Sequence, residues 1–463
     1  MKHVHLIGIG GTGLSAIALF LKERGYQVTG SDRTMSPLAR QLIDQGVTIF
    51  AGHDPQNIAG ADIIVRSSAI PPDNVEVQAA LAQGIPVLKR SDFLKELMAG
   101  SLGITVAGTH GKTTTTAMIA WMLSRIGQDP SYIIGGVSKD LGTNAHAGNG
   151  PHFVIEADEY DYMFLGLSPE IIIVTNIEHD HPDCFPTPDD YLNAFGQFFN
   201  RLQYGGTLLA CADDFACVRL AHMPHRRDVK ALTYGKHPQS NYIAVHEKTN
   251  PRGGMDFDVI FREKEKSRPL ASVSLQVPGE HNVLNALAAV AVADQLQLDL
   301  HAAAAALAEF SGTGRRFDLV GEHSGITIID DYAHHPTEVR ATLAAARQRY
   351  PRARIWAVWQ PHTYSRTIAL LEEFTSAFKL ADRVIVTEVY AAREKQGDFS
   401  ASQVVERMQH PDARFIPSLA ATTLYLMENL REGDVLLVLS AGDADQISSD
   451  VLRGLQNKEE NHD

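Results

Sequence analysis

The fold turns on the stretch Ile104-Thr105-Val106-Ala107-Gly108-Thr109-His110-Gly111-Lys112-Thr113-Thr114. Ile104–Ala107 reads as a short buried strand. From about Thr113 to Arg125 the spacing is helical. The loop between them carries two glycines and ends in Gly111-Lys112-Thr113. A lysine and a hydroxyl at a helix start suit a phosphate and its Mg²⁺. The pattern is not a full Walker A, because the first glycine position falls on Val106. The bland alternative is a glycine turn with an incidental surface lysine. The strand before it and the helix after it argue against that.

The same logic extends outward. Glu156-Ala157-Asp158-Glu159 follows a strand at His152–Ile155, and Asn176 and Asp180-His181 follow one at Ile171–Thr175. Ligands of open parallel sheets gather at the carboxyl ends of strands. Lys112, Thr113, Glu156 and His181 are therefore expected in one crevice, with donors that suit Mg²⁺. Lys112→Ala is expected to abolish activity with little loss of stability, as for a charged loop side chain. Between Ser240 and Pro278, Met255, Phe257, Val259 and Phe261 alternate, which predicts antiparallel strands added to the central sheet. Asn282–Gln295 and the alanine-rich Ala302–Ala308 read as packed helices.

Near the N-terminus, Gly8-Ile9-Gly10-Gly11-Thr12-Gly13 matches G-x-G-x-x-G between a strand (Val4–Ile9) and a helix (Leu14–Arg24). Asp32 closes the next strand. This predicts a diphosphate on a helix N-terminus with an acid near a ribose. NAD and a UDP-sugar are equivalent at this level. Asp62–Arg66 is a further strand, ending in Ser67-Ser68-Ala69, and Val75–Gln83 is helical. A third unit has strands at Ile326–Ile329, Ile355–Trp359, Val384–Thr387 and Val435–Leu439. Asp330-Asp331, Gln360-Pro361-His362 and Ala441-Gly442-Asp443 are expected just after three of them. The reading is three α/β domains in series: 1–100, 101–318 and 319–463. The charged tail Asn457–Asp463 is expected to fray.

Composition narrows the function. The 463 residues carry 41 Lys plus Arg against 55 Asp plus Glu, a net charge of −14. That balance disfavours nucleic acid as a partner. Three cysteines cannot build a disulfide framework and fit reduced thiols. Neither a secretory leader nor a membrane-spanning stretch is expected, which points to a cytoplasmic protein.

Six motifs occur in order: G-T-H-G-K-T-T, E-A-D-E, T-N-x-x-x-D-H, G-x-H-N-x-x-N-A, R-R-F and D-D-Y-A-H-H-P-T-E. Together they resemble the Mur ligases of peptidoglycan synthesis over nearly the whole chain. Within that family, G-I-G-G-T-G-L-S-A-I-A and Q-P-H-T-Y-S-R-T resemble the alanine-adding branch rather than the branch that recycles a tripeptide. The resemblance implies a Rossmann-like N-terminal domain for the UDP-sugar, a central P-loop-type ATPase domain with a mixed sheet, and a Rossmann-like C-terminal domain. It implies ATP-dependent ligation of L-alanine to the lactyl carboxylate of UDP-N-acetylmuramate through an acyl phosphate, with Mg²⁺. Gly108, Thr109, His110, Gly111, Lys112, Thr113 and Thr114 would hold ATP phosphates, and Asn282, Asn285, Arg315, Arg316 and Asp331 would make further ATP-side contacts. Thr113, Glu156 and His181 would hold the metal. Lys112, His335, His362 and Arg366 would serve the reaction, the last three on the amino-acid side. Gly10, Gly11, Thr12, Gly13, Asp32, Ser67, Ser68 and Ala69 would face the UDP-sugar. Tyr160, Thr363 and Ser440 depart from the family pattern. Oligomeric state is left open.

Overall fold

Three β-sheets follow one another along the chain, each on its own segment. The computed structural model describes residues 2–460 apart from His225, Arg393 and Gln396, and without the side chains of Glu459 and Glu460. The first sheet has β1 (His3–Ile7), β2 (Gln27–Asp32), β3 (Thr48–Ala51), β4 (Ile63–Arg66) and β5 (Val87–Lys89). It is parallel throughout, in the order β3-β2-β1-β4-β5. The chain leaves β1 to build β2 and β3 on one side and returns to add β4 and β5 on the other. The switch point lies at β1 and β4, where such sheets open a crevice.

The central sheet comprises β6 (Leu102–Ala107), β7 (Ser131–Ile133), β8 (Ala145–His146), β9 (His152–Glu156), β10 (Ile171–Val174), β11 (Thr207–Cys211), β12 (Lys230–Gly235), β13 (Tyr242–Thr249), β14 (Met255–Glu263) and β15 (Lys266–Ser274). Their order is β15-β14-β13-β12-β11-β10-β6-β9-β7-β8. The run from β12 to β7 is parallel, and the meander β13-β14-β15 is antiparallel. Met255, Phe257 and Val259 of β14 point inward, as their alternation requires. The third sheet comprises β16 (Asp318–His323), β17 (Ile326–Asp331), β18 (Arg354–Gln360), β19 (Arg383–Val386), β20 (Ala413–Phe415) and β21 (Asp434–Ser440), in the order β16-β17-β21-β18-β19-β20. Only β16 runs antiparallel.

Several elements differ from the sequence reading. β3 and β5 sit at the edges of the first sheet, half-exposed and short, so they lack the apolar run that marks a strand. Asp330 and Asp331 belong to β17 rather than to the loop after it. The helix Asp445–Glu460 takes in residues 457–460, where fraying was expected; residues 461–463 lie outside the described residues.

The apolar cores are distributed unequally. One buried cluster runs from Val4, Leu14 and Phe20 of the first domain into Phe153, Ile172 and Phe310 of the second. The rings of Phe20 and Phe153 are 5.3 Å apart. The third domain has two clusters of its own, one on each face of its sheet. No buried apolar cluster joins it to the second domain among the described residues.

Candidate active site

Strand ends from all three domains meet over the Gly108–Thr114 loop. Two cavities adjoin there, of about 540 and 380 Å³. The larger is lined by Thr12, Gly13 and Arg90 of the first domain, by Lys112, Glu156, Glu159, Asp180 and His181 of the second, and by Arg315, His362 and Arg366 of the third. The smaller takes His281, Asn282, Asn285 and Asp331. Gly111, Thr113, Arg316 and Glu338 line both.

The loop is built for close approach. Gly108 has φ 133°, and a β-carbon there would lie 2.1 Å from the Thr175 hydroxyl. Gly111 has φ 80° and caps the helix Lys112–Arg125 without a side-chain acceptor. Lys112 therefore starts the helix with its ammonium folded back. It donates to the carbonyls of Gly108 and Thr109 and pairs with Glu159 at 3.1 Å. Burial works against its charge, but Glu159, Glu156 and Asp158 hold its pKa above the ordinary value. Glu159 is itself 1% exposed, and burial raises its pKa. Tyr191 donates to it at 3.0 Å. Lys112 is thus no loose loop lysine: removing it strands a buried carboxylate, so the expected indifference of stability does not follow.

Beside it, the Thr113 hydroxyl donates to Glu156 at 2.9 Å, and the same carboxylate accepts the Gly135 N–H at 2.9 Å. Hydroxyl and carboxylate oxygens side by side are hard donors, suited to Mg²⁺. His181, at φ 55°, lines the same cavity; its Nε2 lies 3.9 Å from Glu159 and 3.7 Å from Asp180.

At the junction with the third domain, His110 bridges two acids. Its Nε2 is 3.1 Å from Glu178 and its Nδ1 is 3.1 Å from Glu338. Burial opposes the imidazolium, but Glu338 and Glu178 push its pKa up to about 9. Glu178 also accepts the Thr337 hydroxyl at 2.8 Å. His335 is 2% exposed and caps the helix Pro336–Arg349, its Nδ1 accepting the Thr337 N–H. Burial and the neighbouring His110 lower its pKa to about 4, so it is neutral. Among the described residues, His110, Glu178 and His335 are the one trio whose possible metal-binding atoms all lie within 4.8 Å of one another. Glu156 and His181 do not form such a set.

A second bridge across this junction is Arg366 to Asp180, with guanidinium–carboxylate contacts of 3.0 and 3.2 Å, both side chains buried. Arg366 also contacts His362 Nδ1 at 3.1 Å. Arg315 donates to the carbonyls of Ser440 and Gly442, which ties its strand-end loop to the end of β21. Asp331 accepts the N–H groups of Phe317 and Ala333, and burial, partly offset by Arg316, pushes its pKa to about 6.

The first domain contributes differently. Asp32 accepts the N–H of Gly10 at 2.9 Å and of Thr34 at 3.1 Å, so its carboxylate braces the turn. Gly10, Gly11, Asp32, Ser67, Ser68 and Ala69 line neither cavity; they lie at the ends of β1, β2 and β4, with Ser68 and Ala69 exposed. Sequence reading passed over Glu178, Glu338, Asp180 and Glu159 as partners. Each stood inside a quoted motif, but pairing between distant segments has no local signal.

Comparisons with known proteins agree with this construction. Residues 3–101 match the Mur ligase family catalytic domain, 106–293 the Mur ligase middle domain, and 315–442 the Mur ligase glutamate ligase domain. The chain is 43% identical to the UDP-N-acetylmuramate–L-alanine ligase of Roseiflexus castenholzii, over 98% of this chain and 97% of that one. It is 42% identical to the enzyme of the same name from Desulfosudis oleivorans, over 98% of each. Among solved structures it resembles UDP-N-acetylmuramate-alanine ligase MurC of Thermotoga maritima, with a TM-score of 0.83, 29% identity, and 99% and 100% of the two chains covered. A murein peptide ligase of Psychrobacter arcticus gives 0.72 and 27%, over 99% of each chain. With all three of its sheets matched in order and its motifs meeting over one loop, the chain belongs to the Mur ligase family.

Proposed function

We infer that the protein joins L-alanine to the lactyl carboxylate of UDP-N-acetylmuramate at the expense of ATP, in peptidoglycan precursor synthesis. The observation that carries this is the larger cavity, to which each domain brings a different chemistry. The first domain brings Thr12, Gly13 and Arg90, the second Lys112, Thr113 and Glu156, and the third His362 and Arg366.

A carboxylate is a poor electrophile, so its oxygen first attacks the γ-phosphorus and ADP leaves. The amine then attacks the acyl carbon, and the carbon–oxygen bond breaks to release phosphate. Two anions must meet in the first step, which requires neutralisation. Lys112 supplies a fixed positive charge beside Thr113. Thr113 and Glu156 would hold Mg²⁺, with His181 across the cavity, and the ion would add positive charge at the phosphates. His281, Asn282, Asn285 and Asp331 form the wall available to the rest of the nucleotide. His335, buried and neutral behind His110, orients the start of its helix rather than facing the cavity. Arg366, already oriented by Asp180, offers a guanidinium beside His362 for the carboxylate of the incoming amino acid. The nucleotide-linked precursor, ATP and alanine are water-soluble, which suits a reaction in the cytoplasm.

The amine is tested by comparing kcat/KM for L-alanine with that for L-Ala-γ-D-Glu-diaminopimelate at saturating ATP and UDP-N-acetylmuramate. Alanine is expected to win, with measurable misuse of glycine and serine, because one methyl in a pocket is worth only about 1–3 kcal/mol. A preference for the tripeptide would move the protein to the recycling ligases.

A further inference from the structure

The glycine turn of the first domain lacks a cation of its own. Residues 8–13 contain no basic side chain, and the helix Thr12–Glu23 begins with neither a side-chain cap nor an acid in its first turn. Its opening N–H groups can receive an anion, but they do not neutralise one. The cation comes from elsewhere in the sheet. β5 ends at Lys89, in register with Arg66 of β4, and Arg90 is the next residue. The carboxyl ends of β2, β1, β4 and β5 therefore present, side by side, Asp32, the glycine turn, Ser67 and Arg90.

Arg90 lies directly on the turn. A β-carbon on Gly13 would sit 1.8 Å from Arg90 Nη1 and 2.8 Å from Cζ. The contact shows where the guanidinium rests, in the room that Gly13 leaves open, and a side chain at 13 would displace it. The Nε of Arg90 is buried and has no hydrogen-bond partner. Its Nη2 pairs with Asp158 of the second domain at 3.1 Å, and the two side chains are 21% and 40% exposed. Such a solvent-reachable pair is weak. A diphosphate presents more charge and a geometry matched to the guanidinium fork.

We propose that Arg90 is the cation of the sugar-nucleotide site: it grips the diphosphate over the Gly8–Gly13 turn, and exchanges Asp158 for that anion when the substrate enters. This rests on reading the first domain as the sugar-nucleotide domain. Arg90 and Asp158 then have opposite roles toward the ligand. Arg90 attracts it, and Asp158 competes with it for the same guanidinium.

The test is calorimetric binding of UDP and UMP to the full chain and to R90M and D158N, with ATP binding as the check that each variant is folded. R90M is expected to lose about tenfold or more in UDP affinity, the scale of a charge-assisted contact. Its UMP affinity should move far less, because the second phosphate is what Arg90 holds. D158N is expected to bind UDP as tightly as wild type or more tightly. If the ion pair were only a strut between domains, both substitutions would weaken UDP alike, and that result overturns the proposal. So does R90M binding UDP within twofold of wild type. If wild type itself binds no UDP, the sugar-nucleotide reading fails and takes this proposal with it.

Discussion

The two domain junctions are made of different materials. Between the first and second domains the apolar core is continuous, with Phe20 packed on Phe153. Between the second and third, the contacts are ionic and polar: His110 with Glu178 and Glu338, the buried pair Arg366 and Asp180, and Thr337 with Glu178. Apolar contact is insensitive to pH and salt and holds one geometry. Ion pairs depend on the protonation of groups that also border the reaction cavity. The first domain is thus fixed to the second, whereas the third is latched to the second by groups that border the two cavities. A ligase that must keep water from an acyl phosphate until an amine attacks it is served by that asymmetry.

The largest effect is expected where neither junction is touched. Lys112→Ala should lower kcat by about 10³-fold through loss of the phosphate-side charge. It should also cost about 1–3 kcal/mol in denaturant unfolding, because Glu159 loses its partner and must take up a proton in a buried site. A variant of wild-type turnover would remove Lys112 from the ATP site.

Next comes the apolar junction. Phe20→Ala should cost about 3–5 kcal/mol, and the first two domains should lose stability in a single calorimetric transition. If the first domain melts separately in the wild type, the shared core does not couple them.

The polar junction should instead respond to pH. His110 has a folded-state pKa of about 9 against an ordinary 6.5. Its contribution is complete below pH 6.5 and disappears as pH rises toward 9. Glu178, held at about 2 against 4.5, contributes above pH 4.5 and fades as pH falls toward 2. His335, held at about 4 against 6.5, works the other way and fades as pH falls below 6.5, so contact with the third domain should be tightest near pH 6.5. Small-angle scattering should show a modest increase in radius of gyration between pH 6.5 and 9, and His110→Gln should flatten that change. A radius unchanged by pH in the wild type would break the comparison.

Much of this was legible because glycines and acids punctuate strand ends. Gly108–Thr113, Glu156 and His181 could be placed in one crevice from strand order alone. Side-chain environment was not legible. Lys112 reads as a loop cation until Glu159 is seen buried beneath it, and Glu159 reads as an exposed acid until Tyr191 closes over it. Asp32 reads as an acid for a ribose, and nothing local shows that it also receives the N–H of Gly10 and braces the turn. Arg90 gave no signal, because the three-residue strand before it is too short to show a period. In each case the deciding contact joins residues far apart in the chain, and its energy comes from burial that no local pattern encodes.

The chemistry itself has one direct test. UDP-N-acetylmuramate labelled with ¹⁸O in its lactyl carboxylate is turned over with ATP and L-alanine, and the released phosphate is analysed by mass. If the carboxylate attacks phosphorus and the acyl carbon–oxygen bond then breaks, one labelled oxygen passes into each phosphate. Phosphate free of label would show that ATP is cleaved without an acyl phosphate and would contradict the account.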